Sequence, residues 1–318
     1  MESEKFIKYL QINSLEGIIS IPKSDLHNYL GNGRNIEYIK KHANIDIKAR
    51  PERFSSLTEM EEWAHTNIKQ YCTGLMRYEA AFIQAKNDNI VVLAMSVFRN
   101  TVSYFGSCEQ FIGMQKEFKE KHIPDYLFLP ELSYLGLTDA DKIDFEYSLM
   151  DEILSYNYFK SVDLCIDQLS QPNFDYKSFS KIFRKAKNAG LKLKAHVGEW
   201  GTADDVMRAV EELELDEAHH GIAAVSSPQI MKWLARHKIR LNICPSCNIM
   251  LGRAQSYATH PIRILYDYGI PVTINSDDML IVNQSVSQEY LNLYNCGLMT
   301  AHELDEIRLT GLDRKYWS

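Results

Sequence analysis

The feature that most constrains this chain is an alternation repeated along its whole length. Short strand-like runs occur at Ser24–Tyr29, Ile90–Val97, Tyr126–Leu129, Val162–Ile166, Leu191–His196, Glu217–His220, Ile239–Cys244 and Pro271–Asn275. Helical patterns fall between them, at Leu57–Lys86, Glu109–Lys121, Asp139–Leu154, Tyr176–Asn188, Ala203–Leu213, Pro228–His237 and Pro261–Tyr268, with a last one at Ala301–Leu309. Alternation of this kind argues for a parallel sheet walled by helices. Eight such units in 318 residues favour an α/β fold of the closed (β/α)₈ TIM-barrel type over an open doubly wound sheet. An open sheet would also be expected to carry a Gly-rich phosphate turn, and Leu30-Gly31-Asn32-Gly33-Arg34 lacks that spacing. The stretch Leu57–Lys86 is longer than one crossover needs and is predicted to break into extra helices over the barrel mouth. No linker or low-complexity segment divides the chain, so residues 1–318 are expected to form one domain.

Charge and cysteine usage narrow the partners. A net charge of −7 argues against nucleic acid or an anionic membrane as the main partner. The first twenty residues mix Glu and Lys with scattered apolar positions, unlike a signal peptide. No apolar run approaches a membrane span. Six scattered cysteines look like reduced thiols rather than a disulfide framework. The expectation is a cytoplasmic protein acting on a small molecule, with room left for a homo-oligomer.

In a barrel of this type function sits at the carboxyl ends of the strands. Polar residues recur there: His27 in the first strand, His196 after the fifth, His220 after the sixth, Asp277 and Asp278 after the eighth. Leu191–Trp200 alternates apolar and basic residues into His196, and Glu199 follows three residues later. Singly, each could be a satisfied core group or a helix cap. Together, His27, His196 and Asp277 offer ligand types suited to a divalent metal such as zinc. Glu199 and His220 are the acid and base types expected beside it. Cys244 and Cys247 form a lone C-x-x-C, too little for a redox or zinc site. Arg99 and Arg253 could meet a phosphate, although solvated arginines are the plainer reading.

The motifs Asp25-Leu26-His27, His196-Val197-Gly198-Glu199, His219-His220-Gly221, Cys244-Pro245-Ser246-Cys247-Asn248 with Gly252, His260-Pro261 and Asn275-Ser276-Asp277-Asp278 come in this order. As a set they resemble the adenosine deaminase family of metal-dependent hydrolases, over about Pro22 to Leu312. The resemblance implies water activated by one zinc per chain, attack on an aminopurine carbon and release of ammonia. It implies that His27, His196 and Asp277 hold the metal. Glu199 would protonate a ring nitrogen, His220 would orient or deprotonate water, and Asp278 would hydrogen-bond the purine of a base, nucleoside or nucleotide.

Besides His219, where the family usually has glycine, three positions depart from that family. Its strand-one His-x-His is His27-Asn28-Tyr29 here, and Tyr29 should still face inward because strand residues alternate. A phenol is a poor zinc ligand unless ionised. Either three protein ligands suffice and Tyr29 bonds water or substrate, or Tyr29 fills the place of a lost metal. Ile166 stands where the family has a glycine against the purine, and Gly31 replaces its aspartate after the first strand. Tyr29 and Ile166 are therefore the residues expected to reshape the substrate pocket. They keep two alternatives in view: an inactive relative that binds a purine or a partner, and a hydrolase of an N6-substituent or another heterocycle.

Overall fold

The computed structural model describes residues 1–72, 74–135, 140–165 and 174–316. Eight parallel strands appear in sequence order: β1 Lys23–Asp25, β2 Ile90–Phe98, β3 Leu127–Leu135, β4 Ser161–Cys165, β5 Lys192–Val197, β6 Glu217–His220, β7 Arg240–Ile243 and β8 Val272–Ile274. Each pairs with the next in parallel register, from Ser24 opposite Val92 to Asn242 opposite Thr273. The seam between β8 and β1 is joined above the strands. There Asn28 and Asp277 form a parallel bridge, and the Asp277 N–H donates to the His27 carbonyl at 3.0 Å. The expected (β/α)₈ barrel is therefore present.

The sheet is apolar outside and polar inside, which explains the alternation in its strands. Leu193, Ala195 and Val197 of β5 join the main hydrophobic core, with Val162, Leu164, Leu241 and Ile243 from neighbouring strands. Helical residues such as Phe111, Phe179, Phe183, Val206 and Leu234 cover them. The intervening side chains face the barrel interior, where Lys194 lies 2.7 Å from Glu131 and Arg240 lies 2.5 Å from Glu217. Asn242 donates to Glu217 at 2.8 Å, and Thr273 donates to Asn242 at 2.8 Å. A buried charge is tolerated only when paired, and this layer is paired across several strands.

Helix starts follow local chemistry. Thr202, Ser227, Ser285 and Thr300 each accept a hydrogen bond from the backbone N–H three residues on, which satisfies an otherwise orphaned donor. The last helix, Ala301–Leu312, lies on the β8–β1 seam. A Cβ added at Gly311 would stand 1.9 Å from the Ser24 hydroxyl, so only glycine permits this approach.

Several boundaries differ from the sequence expectation. Leu57–Lys86 divides into Leu57–Asn67, a short turn at Lys69–Tyr71 and Met76–Asn87, as its length required. The helices Glu2–Gln11, Leu15–Ile19 and Ile36–Ala43 were not expected. β3 runs on past Leu129 to Leu135, because Glu131 and Ser133 point into the polar interior and so escape an apolar count. Among the described residues no helix is long and apolar enough to cross a membrane. All six cysteines are free thiols.

Candidate active site

The carboxyl ends of β1, β5 and β6 bring four histidine rings together, and the end of β8 adds Asp277 beside them. His27 stacks on His219 with ring centroids 4.0 Å apart and meets His196 and His220 edge-on at 4.5 and 5.0 Å. The backbone is bent to present two of the side chains. His220 and Asp277 have φ of +63° and +55°, a region that non-glycine residues adopt at some cost in strain. Between His196 and Glu199 the chain turns at Gly198, where φ is +78° and a Cβ would lie 2.4 Å from Val206. That turn swings Glu199 back over the mouth.

On one side of the mouth His27 is wholly buried, and neither ring nitrogen has a hydrogen-bond partner. Burial, and then the neighbouring His219 and His196, push its pKa well below the usual value, so the ring is neutral with a free lone pair. Its Nε2 lies 3.3 Å from Asp277 Oδ1. Two ligands held about 2.0–2.1 Å from one tetrahedral ion stand roughly 3.3 Å apart, so this pair has the spacing of a metal edge. Donor atoms of His27, His220, Cys244 and Asp277 all lie within 4.8 Å of one another. Burial and then the Asp277 charge push the Cys244 thiol well up, which makes it the weakest donor of the four.

On the other side His196 is spent differently. Its Nε2 is 2.6 Å from the Tyr29 hydroxyl, and its Nδ1 is 3.0 Å from Asp163 Oδ1. Burial disfavours its charge, but Asp163 and then Cys165 hold its pKa well above the usual value. The sequence offered His27, His196 and Asp277 as one set. In the structure His27 and Asp277 face each other, while His196 turns to Tyr29 and Asp163. Burial keeps the Tyr29 phenol protonated, and with His196 held in its charged form the Nε2–H donates to the Tyr29 oxygen.

The proton-carrying residues form a chain. Asn248 Nδ2 lies 3.0 Å from Glu199 Oε1 and 3.2 Å from His220 Nδ1. An amide NH₂ only donates, so His220 Nδ1 accepts and its proton sits on Nε2, 3.8 Å from Asp277 Oδ2. Burial lowers the His220 pKa well below normal. Asp278 accepts from the Asn32 amide, and burial, then the Asp277 charge, push it up to about 7.

Tyr29 and Asp278 also line a cavity of about 480 Å³ that runs past Asn32 and Phe98 to Arg34 and Arg77. This is the size of a small-molecule site. Of the expected residues, Ile166 lies outside the described residues. Asp163, Asn248, Arg34 and Arg77 had been given no role from the sequence. Only the alternation along β4, which turns Asp163 inward beside His196, could have flagged the first. Arg99 pairs with Glu146 at 2.7 Å, and Arg253 lies over the Trp200 ring at 3.8 Å, so neither faces the cavity.

Fold and mouth together define a barrel hydrolase with a buried donor cluster at its strand ends. Residues 156–316 match the adenosine deaminase family. The chain belongs to that family, whose members are hydrolases of C–N bonds. It is 25% identical to the adenosine deaminase of Clostridium acetobutylicum, over 96% of each chain. Its fold is shared with adenine deaminase from Arthrobacter aurescens (TM-score 0.75, 18% identity, 92% of each chain). It is also shared with the N6-mAMP deaminase of Arabidopsis (TM-score 0.73, 19% identity, 95% of this chain and 96% of that one).

Proposed function

We propose that this chain deaminates an aminopurine, adding water at the amino-bearing carbon and releasing ammonia. The relatives' names differ in what the purine carries and share the aminopurine itself. The observation that carries the proposal is the chain from Glu199 through Asn248 to His220 and Asp277, which sets an acid and a base on one mouth. His220, kept neutral by burial with its proton on Nε2, orients the attacking water, whose proton passes to Asp277 Oδ2 on the same side. Glu199 delivers a proton to the ring nitrogen beside the reacting carbon. Asp278, with a pKa near 7, stays partly protonated at neutral pH and donates to a purine nitrogen.

His27, Asp277 and His196 would hold zinc, His196 giving up its bond to the Tyr29 hydroxyl. A metal there supplies a nucleophile at neutral pH by acidifying water. Elemental analysis of purified wild type and Tyr29→His tests this directly. About one zinc per wild-type chain is expected for a single three-ligand site. Metal in Tyr29→His but none in wild type would show that the tyrosine has disarmed the site. Ammonia release across a panel of aminopurines tests the reaction, and release of an alkylamine instead would redirect it to an N6-substituted purine. The short Tyr29–His196 contact favours one second reading, a purine-binding protein without turnover. That reading predicts ligand-induced stabilisation with no product.

A further inference from the structure

Arg34 is 1% exposed, yet its Nε and Nη1 atoms have no hydrogen-bond partner. Its side-chain contact is the Cys72 sulfur, and among the described residues it forms no ion pair. Arg77, half-buried, also leaves its Nε unpartnered and lies 4.7 Å from the Tyr78 ring. Both guanidinium groups point to one spot. A Cβ built on Gly31 would stand 3.6 Å from Arg34 Nη2 and 3.8 Å from Arg77 Nη2. The nearby acids do not neutralise them: Glu61 pairs with Lys69 at 2.5 Å, and Glu62, also on the cavity wall, is exposed. Two cations facing each other across open space, one of them fully buried, are costly unless an anion joins them. The cavity that holds them is the one lined by Tyr29 and Asp278.

We propose that Arg34 and Arg77 form an anion subsite for the 5′-phosphate of a purine nucleoside monophosphate, in the space left by Gly31. This rests on the aminopurine reading above and specifies its substrate class. Guanidinium forks suit phosphate because two parallel N–H groups meet two oxygens. A neutral nucleoside leaves both arginines unsatisfied, so discrimination is carried by charge rather than by the purine ring.

The test compares adenosine 5′-monophosphate with adenosine in wild type, Arg77→Gln and Gly31→Asp. Wild type should favour the monophosphate in kcat/KM by about 100-fold or more, the scale expected for two charge-assisted hydrogen bonds. Arg77→Gln should cut that preference about tenfold, mainly through KM. Gly31→Asp has room for its side chain and no left-handed φ to strain, and its carboxylate should occupy the subsite and abolish the preference. Inorganic phosphate should compete with the nucleotide. Phosphate that instead stimulates adenosine turnover would assign the subsite to free phosphate and overturn the proposal. So would a wild type that prefers adenosine, or a preference unchanged in Gly31→Asp. If no aminopurine turns over, the deaminase reading fails on its own. Calorimetric binding of the monophosphate against the nucleoside then decides the subsite, equal affinities overturning it.

Discussion

The middle of the barrel and the cavity beside Tyr29 both bury arginine, and they treat it in opposite ways. Inside the barrel Arg240 meets Glu217, Lys194 meets Glu131, and His219 lies 3.2 Å from Glu131, so each charge is matched by another strand. Beside Tyr29, Arg34 faces Arg77 with no carboxylate between, and His27 holds two unbonded ring nitrogens. The first arrangement pairs its charges within the chain; the second leaves the Arg34 and Arg77 cations without a counter-charge among the described residues, which is what the proposed anion subsite rests on. Buried groups left unpaired therefore locate binding better here than titratable groups taken by number, of which the barrel interior has as many.

The largest test of that contrast falls on the paired layer. Lys194→Met leaves Glu131 and Glu217 short of a counter-charge and should cost about 3–5 kcal/mol of stability in denaturant unfolding. A loss below about 1 kcal/mol would mean that the interior network is not held by its charge pairing. At the mouth the effect should move from stability to rate. Glu199→Gln should lower kcat by about 10²–10⁴-fold with the melting temperature almost unchanged. A comparable fall in both would make Glu199 a structural residue. If His27 and Asp277 share an ion as proposed, its removal by a chelator should lower the melting temperature and added zinc should restore it. No change on chelation would argue against any metal at that edge.

The smallest effect concerns pH, where two buried carboxylates have opposite signs. In the paired layer burial works against the Glu131 charge, but Lys194 and His219 hold its pKa well below the usual range. Its contribution to stability is present above the ordinary carboxylate range and is lost as pH falls through the lowered value. Glu289, beneath the mouth, is pushed by burial up to about 7, only partly offset by donors from the Ser246 N–H and Tyr257 hydroxyl. Its protonated form is the one the fold accepts, so that contribution is complete below the ordinary range and lost as pH rises through about 7. Glu289→Gln should therefore flatten the decline in stability between about pH 4.5 and 7. An unaltered slope in unfolding measured across that window would assign the effect elsewhere, with Asp25, also raised to about 7, the next to substitute.

Much of this protein was already determined by its sequence. The alternation specified a parallel barrel because an apolar outer face and a polar inner face repeat along β5 and its neighbours. The motif residues His27, His196, Glu199, His220, Asp277 and Asp278 do gather at one mouth, since strand ends of a closed parallel sheet must. The N-terminal helices escaped notice because short amphipathic segments carry little periodic signal beside eight repeats. Tertiary structure alone decided the rest. Only packing shows that Tyr29 spends His196, that Asn248 joins Glu199 to His220, and that Arg34 and Arg77 converge over Gly31. The physical reason is common to all three: sequence gives the kinds of side chain available, whereas hydrogen bonding and charge pairing depend on distances between segments far apart in the chain.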